Sequence, residues 1–284
     1  MATKANDILR KIHCGDSAEV MATWPGGFVH LTITSPPYHN LRDYDAGNTF
    51  NLAATVEQLY RLTVDGGIVV WIVADIRRNH RLQLIPFRHA TALESAGFSA
   101  LDMMIYQKAG CVRGHNWRHY PNGYEFMIVV FRGRRPRVFN PIRDRRNTTA
   151  GDKISGGKRK PDGEIKPAHN TGEEIGRLGY RSNVWRYPTG FNLSTADVFA
   201  FEHPAIFPEA LARDHILSWS NVGDVVLDPF VGSGTTPKMA IELGRRWVGI
   251  DVSPVYCELA RRRVELAKIP LPGCEVVECC QQLS

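Results

Sequence analysis

Val225-Val226-Leu227-Asp228-Pro229-Phe230-Val231-Gly232-Ser233-Gly234-Thr235-Thr236 is the stretch on which the fold turns. An apolar run ends in an acid, two spaced glycines follow, and helical spacing begins at Thr236. That order predicts a strand that bends sharply into a helix, with glycines where the backbone must approach a ligand closely. The pattern differs from the Gly-x-Gly-x-x-Gly dinucleotide fingerprint, and it lacks the lysine that a phosphate-loop NTPase needs after its second glycine. A second apolar run follows the helix, Trp247-Val248-Gly249-Ile250, and ends in Asp251. A carboxylate at that strand end can accept hydrogen bonds from two ribose hydroxyls, and Asp228 can meet the ammonium of an amino-acid moiety. The competing reading is a tight structural turn.

Working outward, apolar runs rich in β-branched and aromatic residues predict strands at Phe28 to Thr34, Ile68 to Ala74, Ala100 to Tyr106, Tyr124 to Phe131, Val225 to Leu227 and Trp247 to Ile250. Helical spacing appears near Ala53 to Val64, Leu82 to Ser95, Pro208 to Trp219, Thr236 to Leu243 and Pro254 to Ala267. Alternating strands and helices predict an α/β fold with a mainly parallel sheet, helices on both faces and ligands beyond the carboxyl ends of the strands.

The alternation fails from about Gly133 to Leu193, where Gly, Pro, Arg, Lys and Asn dominate. Something other than sheet core is expected there. Arg132, Arg134, Arg135, Arg137, Arg143, Arg145 and Arg146 crowd one stretch opposed only by Asp144, and Lys153, Lys158, Arg159, Lys160 and Lys166 follow. Tyr180, Trp185, Tyr187 and Phe191 close the region. Basic residues interleaved with aromatics suit nucleic acid; a solvated basic loop or a small lobe with its own aromatic core would look the same.

The other informative string, Thr34-Ser35-Pro36-Pro37-Tyr38, also ends an apolar run, Leu31 to Ile33. It puts a hydroxyl, two rigid prolines and an aromatic ring at one strand end. An exocyclic amine on cytosine or adenine is a poor nucleophile because its lone pair is delocalised into the ring. The Ser35 hydroxyl and the Pro36 carbonyl, held against the amine hydrogens, would localise that lone pair, Pro37 would keep the carbonyl in place and Tyr38 would stack on the base. Reaching a base inside a duplex requires rotating it out of the stack, and an aromatic platform offsets part of the unstacking cost. Methylation at carbon 5 of cytosine would instead need a cysteine nucleophile; family enzymes of that kind place it directly after a proline, and no Pro-Cys pair occurs here.

At 284 residues, 43% hydrophobic and 23% charged, the chain reads as a globular protein with room for one core and an elaboration, and its net charge of +6 modestly favours an anionic partner. Cys14, Cys111, Cys257, Cys274, Cys279 and Cys280 include no Cys-x-x-Cys pair, so no metal site is expected and reduced thiols are. Neither a signal peptide nor a run of membrane-spanning length is found.

These motifs, in this order, resemble the permuted beta class of S-adenosylmethionine-dependent DNA amino-methyltransferases over nearly the whole chain. In that family the base-binding motif comes first, a target-recognition region lies in the middle and the glycine motif comes near the end. The resemblance implies a circularly permuted, Rossmann-like methyltransferase fold: residues 1–132 as the catalytic half, 133–193 as the target-recognition region and 194–284 as the cofactor half. Further strings agree: Cys14-Gly15-Asp16-Ser17 resembles an early element that puts Asp16 near the cofactor adenine, and His203-Pro204-Ala205-Ile206-Phe207-Pro208 resembles one that lines the methionine end of the pocket. Gly249-Ile250-Asp251 with Tyr256 resembles the ribose-binding strand and following helix, with aspartate where the family often has glutamate.

The cofactor contacts so implied are Asp16, Thr34, His203, Pro204, Phe207, Asp228, Pro229, Phe230, Gly232, Ser233, Gly234, Thr235, Thr236, Asp251 and Val252; Ser35, Pro36, Pro37 and Tyr38 are the catalytic set. Ser-Pro-Pro-Tyr is typical of cytosine N4 methylation, and the resemblance points to cytosine in double-stranded DNA over adenine N6. RNA or a protein amide as substrate, or a catalytically silent DNA-binding module, are the remaining readings. The implied setting is the bacterial or phage cytoplasm, with a homodimer and a cognate restriction endonuclease as partners to look for.

Overall fold

The computed structural model describes residues 5–37, 50–110, 119–168 and 170–267. The chain forms two compact units, one of Met1–Asn140 with Asn183–Ser284 and one of Pro141–Ser182. The larger unit is built on a single sheet of eight strands: β1 (Ile12–Cys14), β2 (Val29–Thr34), β3 (Thr63–Val73), β4 (Ser99–Lys108), β5 (Tyr124–Phe131), β6 (Val184–Tyr187), β7 (Val225–Asp228) and β8 (Arg246–Asp251). Their spatial order is β1-β8-β7-β2-β3-β5-β4-β6. Neighbours run parallel except around β5, which is antiparallel to both β3 and β4.

The helices that position the site are α1 (Ser17–Ala22), α2 (Leu52–Leu62), α3 (Ile85–Ser95), α4 (Glu209–Trp219), α5 (Thr235–Glu242) and α6 (Pro254–Glu265). Strand β3 shows why both faces of the sheet are covered. Val69, Trp71 and Val73 join one core cluster with Val56, Leu59 and Leu62 of α2 and Ile85 and Leu93 of α3. The alternate residues Ile68, Val70 and Ile72 point the other way and are just as buried. Helices α4, α5 and α6 pack on one another and on β2, β7, β8 and β1. The α/β expectation with a mainly parallel sheet holds, and each predicted element is found with its ends moved by a few residues. The largest such shift extends β3 back to Thr63, where the strand begins directly at the end of α2.

Two strands of the main sheet were not expected. β1 is three residues long and pairs in parallel with Gly249–Asp251. β6 lies inside the stretch read as something other than sheet core, and pairs in parallel with Ile105–Lys108. It is a strand because Val184-Trp185-Arg186-Tyr187 alternates exposed and buried positions. Trp185 and Tyr187 are therefore core residues, 5% and 6% exposed, rather than aromatics free to meet nucleic acid. The Tyr187 hydroxyl donates to Asp214 Oδ2 at 2.7 Å. Tyr180 and Phe191 are exposed.

The arginine run is corrected in part as well. Arg132 Nη1 donates to the carbonyls of Tyr60 and Thr63 at 3.1 and 2.6 Å, and its guanidinium lies 4.8 Å from the Tyr60 ring centre. Arg137 pairs with Asp224. These two cations tie elements of the larger unit together instead of reaching outward for phosphates.

The smaller unit is made of short antiparallel pairs, Arg143–Arg146 with Leu178–Tyr180 and Gly157–Arg159 with Ile165–Pro167. It is narrower than the expected region 133–193, whose flanks belong to the larger unit. Among its described residues none is buried. Arg143 stacks 4.3 Å from the Tyr180 ring centre and donates to its hydroxyl at 2.7 Å, and Arg181 Nε donates to Asp144 Oδ2 at 2.8 Å. Among the described residues no helix is long and apolar enough to cross a membrane.

Candidate active site

Strands β2 and β7 lie side by side and parallel, so their carboxyl ends bring the two informative strings together. The junction is a hydrogen bond from Thr34 Oγ1 to Asp228 Oδ1 at 2.7 Å, between two fully buried side chains. Thr236, at the start of α5, donates to the Ile33 carbonyl at 3.3 Å. Ser35 and Pro37 are half-buried and Pro36 is buried. Tyr38 lies outside the described residues.

Asp228 is 1% exposed. Its Oδ1 accepts from Thr34 and from the Phe230 N–H at 3.1 Å, whereas Oδ2 has no hydrogen-bond partner among the described residues. A buried carboxylate oxygen without a donor is costly unless the group holds a proton or receives a cation. Burial pushes this carboxyl up to about 6, against hydrogen bonds from Thr34, Thr236 and the Phe230 N–H that favour the charged form. The arrangement is suited to an ammonium. Beside it the Phe230 ring meets Phe50 edge-on at 5.2 Å and Trp71 at 6.3 Å.

The glycines have a reason that the sequence did not reveal. Gly232 and Gly234 take left-handed φ of 48° and 83°. A Cβ on Gly232 would stand 2.9 Å from His203 Nε2, and one on Gly234 3.0 Å from the Ala260 Cα in α6. The turn is thus pressed between a histidine and a helix, and its conformation is closed to other residues. His203 Nδ1 accepts from the Ala205 N–H at 3.1 Å, and its ring meets Tyr256 at 4.4 Å. Pro204 is exposed and Phe207 half-buried on the same loop.

Asp251 ends β8, as expected, with both carboxylate oxygens engaged by backbone. Oδ2 accepts from the Gly232 N–H at 2.8 Å and Oδ1 from the Ser253 N–H at 3.0 Å. Each oxygen keeps a second lone pair for a hydroxyl donor. Burial raises its pKa, opposed by those backbone bonds. The next residue, Val252, is half-buried. Asp16 caps α1 through one oxygen, which accepts from the Ala18 and Glu19 N–H groups at 2.9 and 3.0 Å. The Gly15 N–H donates to the Asp251 carbonyl at 2.9 Å, and Ser17 donates to the Pro229 carbonyl. The early string is therefore held against the glycine turn.

Sequence reasoning missed the network behind that turn. Arg263, 0% exposed, donates from Nη1 to Ser233 Oγ and Thr235 Oγ1, both at 2.9 Å. Its Nη2 donates to Glu209 Oε1 at 2.6 Å and its Nε to Asp197 Oδ2 at 3.1 Å. Lys238 Nζ reaches the same two carboxylates, each at 2.7 Å, and Thr195 donates to Glu209 at 2.7 Å. Arg263 and Lys238 thus bridge the same two half-buried carboxylates and tie α4, α5 and α6 to the turn. The carboxylates of Asp197 and Glu209 are held below their usual range by these partners, despite burial.

Comparison with known proteins identifies a family. Residues 29–262 match the family N6_N4_Mtase, DNA methylase. The orphan methyltransferase M.BamHII of Bacillus amyloliquefaciens is 44% identical over 239 residues, 84% of this chain and 89% of that protein. The DNA adenine methyltransferase YhdJ of Escherichia coli (strain K12) is 26% identical over 280 residues, 92% of this chain and 84% of its own. Among solved structures, a candidate DNA modification methylase of Thermus thermophilus, complexed with S-adenosyl-L-methionine, superposes with a TM-score of 0.60 at 27% identity, covering 93% of this chain and 95% of that one.

Proposed function

We propose that this chain methylates cytosine in duplex DNA at the exocyclic N4 amine, and the premise is its family: the chain belongs to the N6_N4_Mtase DNA methylases and takes S-adenosylmethionine as methyl donor. The observation that carries the reading is the 2.7 Å bond between Thr34 and Asp228, which joins the amine-handling strand end to the glycine turn. An amine and a methyl donor must meet within van der Waals reach for transfer, and this junction is where the two half-sites touch.

When bound, S-adenosylmethionine supplies an electrophilic sulfonium methyl group. The Asp228 oxygen that lacks a donor suits its ammonium, and the remaining lone pairs of Asp251 suit the ribose hydroxyls. By the family resemblance Asp16 would meet the adenine, His203, Pro204 and Phe207 would line the methionine end and Val252 would adjoin the ribose. Gly232 to Thr236 shape the floor. At the base, the Ser35 hydroxyl and the Pro36 carbonyl accept the amine hydrogens and turn the nitrogen lone pair toward the methyl group, and Tyr38 stacks on the base. Within the expected region 133–193, the exposed arginines of the smaller unit read the target sequence. The reaction suits the cytoplasm of a bacterium; M.BamHII and YhdJ are bacterial.

Serine at position 35 favours cytosine. The second reading, adenine N6, is favoured by the likeness to YhdJ, a DNA adenine methyltransferase. Mass spectrometry of nucleosides from duplex DNA incubated with the protein and isotopically labelled S-adenosylmethionine separates the two. Labelled N4-methylcytosine is the expected product. Labelled N6-methyladenine would leave the cofactor site intact and overturn the choice of base.

A further inference from the structure

Strand β3 does not pass directly into α3. Between them the chain folds back as a hairpin, with Arg77–Arg78 antiparallel to Arg81–Leu82. Asn79 and His80 close it, both with left-handed φ, 49° and 63°. Two successive positive φ values suit a two-residue turn whose second place glycine usually fills. Here asparagine and histidine, which enter the left-handed region more readily than most side chains, form the turn.

The base of the hairpin is stapled. The Asp75 carboxylate accepts from the N–H groups of Ile76 at 2.8 Å, Leu84 at 3.0 Å and Ile85 at 3.2 Å. The Gln83 N–H donates to the Ile76 carbonyl at 3.0 Å. Asp75 thereby also serves the amino end of α3, which has no side-chain cap of its own. Arg77, Arg78, His80 and Arg81 are all exposed, and the acid within the segment, Asp75, is taken up by backbone. Trp71 of β3 lies beside Thr34 of β2 in a parallel pair, so the hairpin leaves the same carboxyl edge of the sheet that carries Ser35 and Asp228.

From this rigid, basic, two-stranded ribbon next to the amine-handling strand end, we propose a second DNA-contacting element: the hairpin Ile76 to Gln83 grips the phosphate backbone beside the target base through Arg77 and Arg81. A two-stranded ribbon fits a duplex groove, and arginine meets phosphate with two parallel hydrogen bonds. The inference rests on the DNA methylase reading and adds to it a contact outside residues 133–193.

The test measures binding of the full chain to a duplex that it methylates, across a range of salt concentrations. R77A/R81A is expected to weaken binding and to flatten the slope of log K against log salt by about 2, near 0.9 for each phosphate no longer neutralised, with affinity for S-adenosylmethionine and melting temperature unchanged. R77K/R81K, which keeps the charges, is expected to restore most of the slope. A wild-type slope in R77A/R81A, or no recovery in R77K/R81K, overturns the proposal. A wild-type protein that neither binds nor methylates any duplex overturns the reading beneath it; methylation by the wild type with an unaltered slope in the alanine variant removes the hairpin alone.

Discussion

From Gly232 to Thr236 every residue is buried, whereas from Pro141 to Ser182 no described residue is. The first stretch is fixed by ligation from all sides: Asp251 on the Gly232 N–H, His203 over Gly232, Ala260 under Gly234, and Arg263 on Ser233 and Thr235. The second is fixed by backbone ladders and by surface contacts such as Arg143 on Tyr180 and Arg181 on Asp144. Polar contacts inside a protein are all or nothing, because a buried group left alone keeps its desolvation cost. Surface contacts can be exchanged at little cost. A chain organised this way can hold one cofactor site constant while the outer surface of its smaller unit changes.

The contrast is most exposed to failure at Arg263. Arg263→Ala leaves Asp197 and Glu209 sharing Lys238 as their cation, and it is expected to lower stability by about 3–5 kcal/mol in chemical denaturation and to weaken cofactor binding with it. A loss below about 1 kcal/mol would place this network on a par with a surface pair and dissolve the comparison.

A middle-sized effect is expected from pH. Asp228 sits at about 6 through burial, so it is mainly protonated in the free protein at pH 5, and a cationic partner must displace that proton. Affinity for S-adenosylmethionine, followed by calorimetry, should be level above about pH 7, bend near 6 and fall by up to about tenfold per pH unit below it. Asp228→Asn should flatten the profile. For folding the sign is opposite: the unfolded carboxyl ionises near 4, so this group's contribution to stability is full below about 4 and is lost as pH rises through about 6. An affinity that does not change between pH 5 and 7 would remove Asp228 from the ammonium.

The smallest effect is expected in the smaller unit. Arg143→Ala removes an exposed stacking contact and should change stability by less than about 1 kcal/mol while lowering affinity for substrate DNA. Unaltered DNA binding would sharpen the comparison in another direction, because exposed arginines of this unit would then be solvation alone.

The legibility of the molecule from its sequence follows the same division. The long apolar strands and the glycine turn were readable because each is a run of several residues with one period. β1 and β6 were not, being three and four residues long, and β6 hides its alternation behind an arginine in a basic neighbourhood. Arg263 was unreadable for a related reason: it follows Arg261 and Arg262, a triplet that looks like a solvated helix face. A signal did exist, since Cys257 and Ala260 are buried on α6 and Arg263 continues their spacing of three. The carboxylates at the two strand ends were legible as acids at predicted positions, but the bond from the Gly232 N–H to Asp251 depends on a contact that only the folded chain creates, whereas the capping by Asp16 is local, to Ala18 and Glu19.

The parallel pairing of β1 with β8 has a bearing on synthesis. Cys14 meets Val252 across a separation of 238 residues, and the Gly15 N–H is taken up by the Asp251 carbonyl. β1 must therefore wait for β8, on the order of tens of seconds at about 5–20 residues per second over that separation. Until that edge zips shut the nascent chain lacks a finished cofactor cleft, so a truncated or stalled product carries the amine-handling motif without the means to use it.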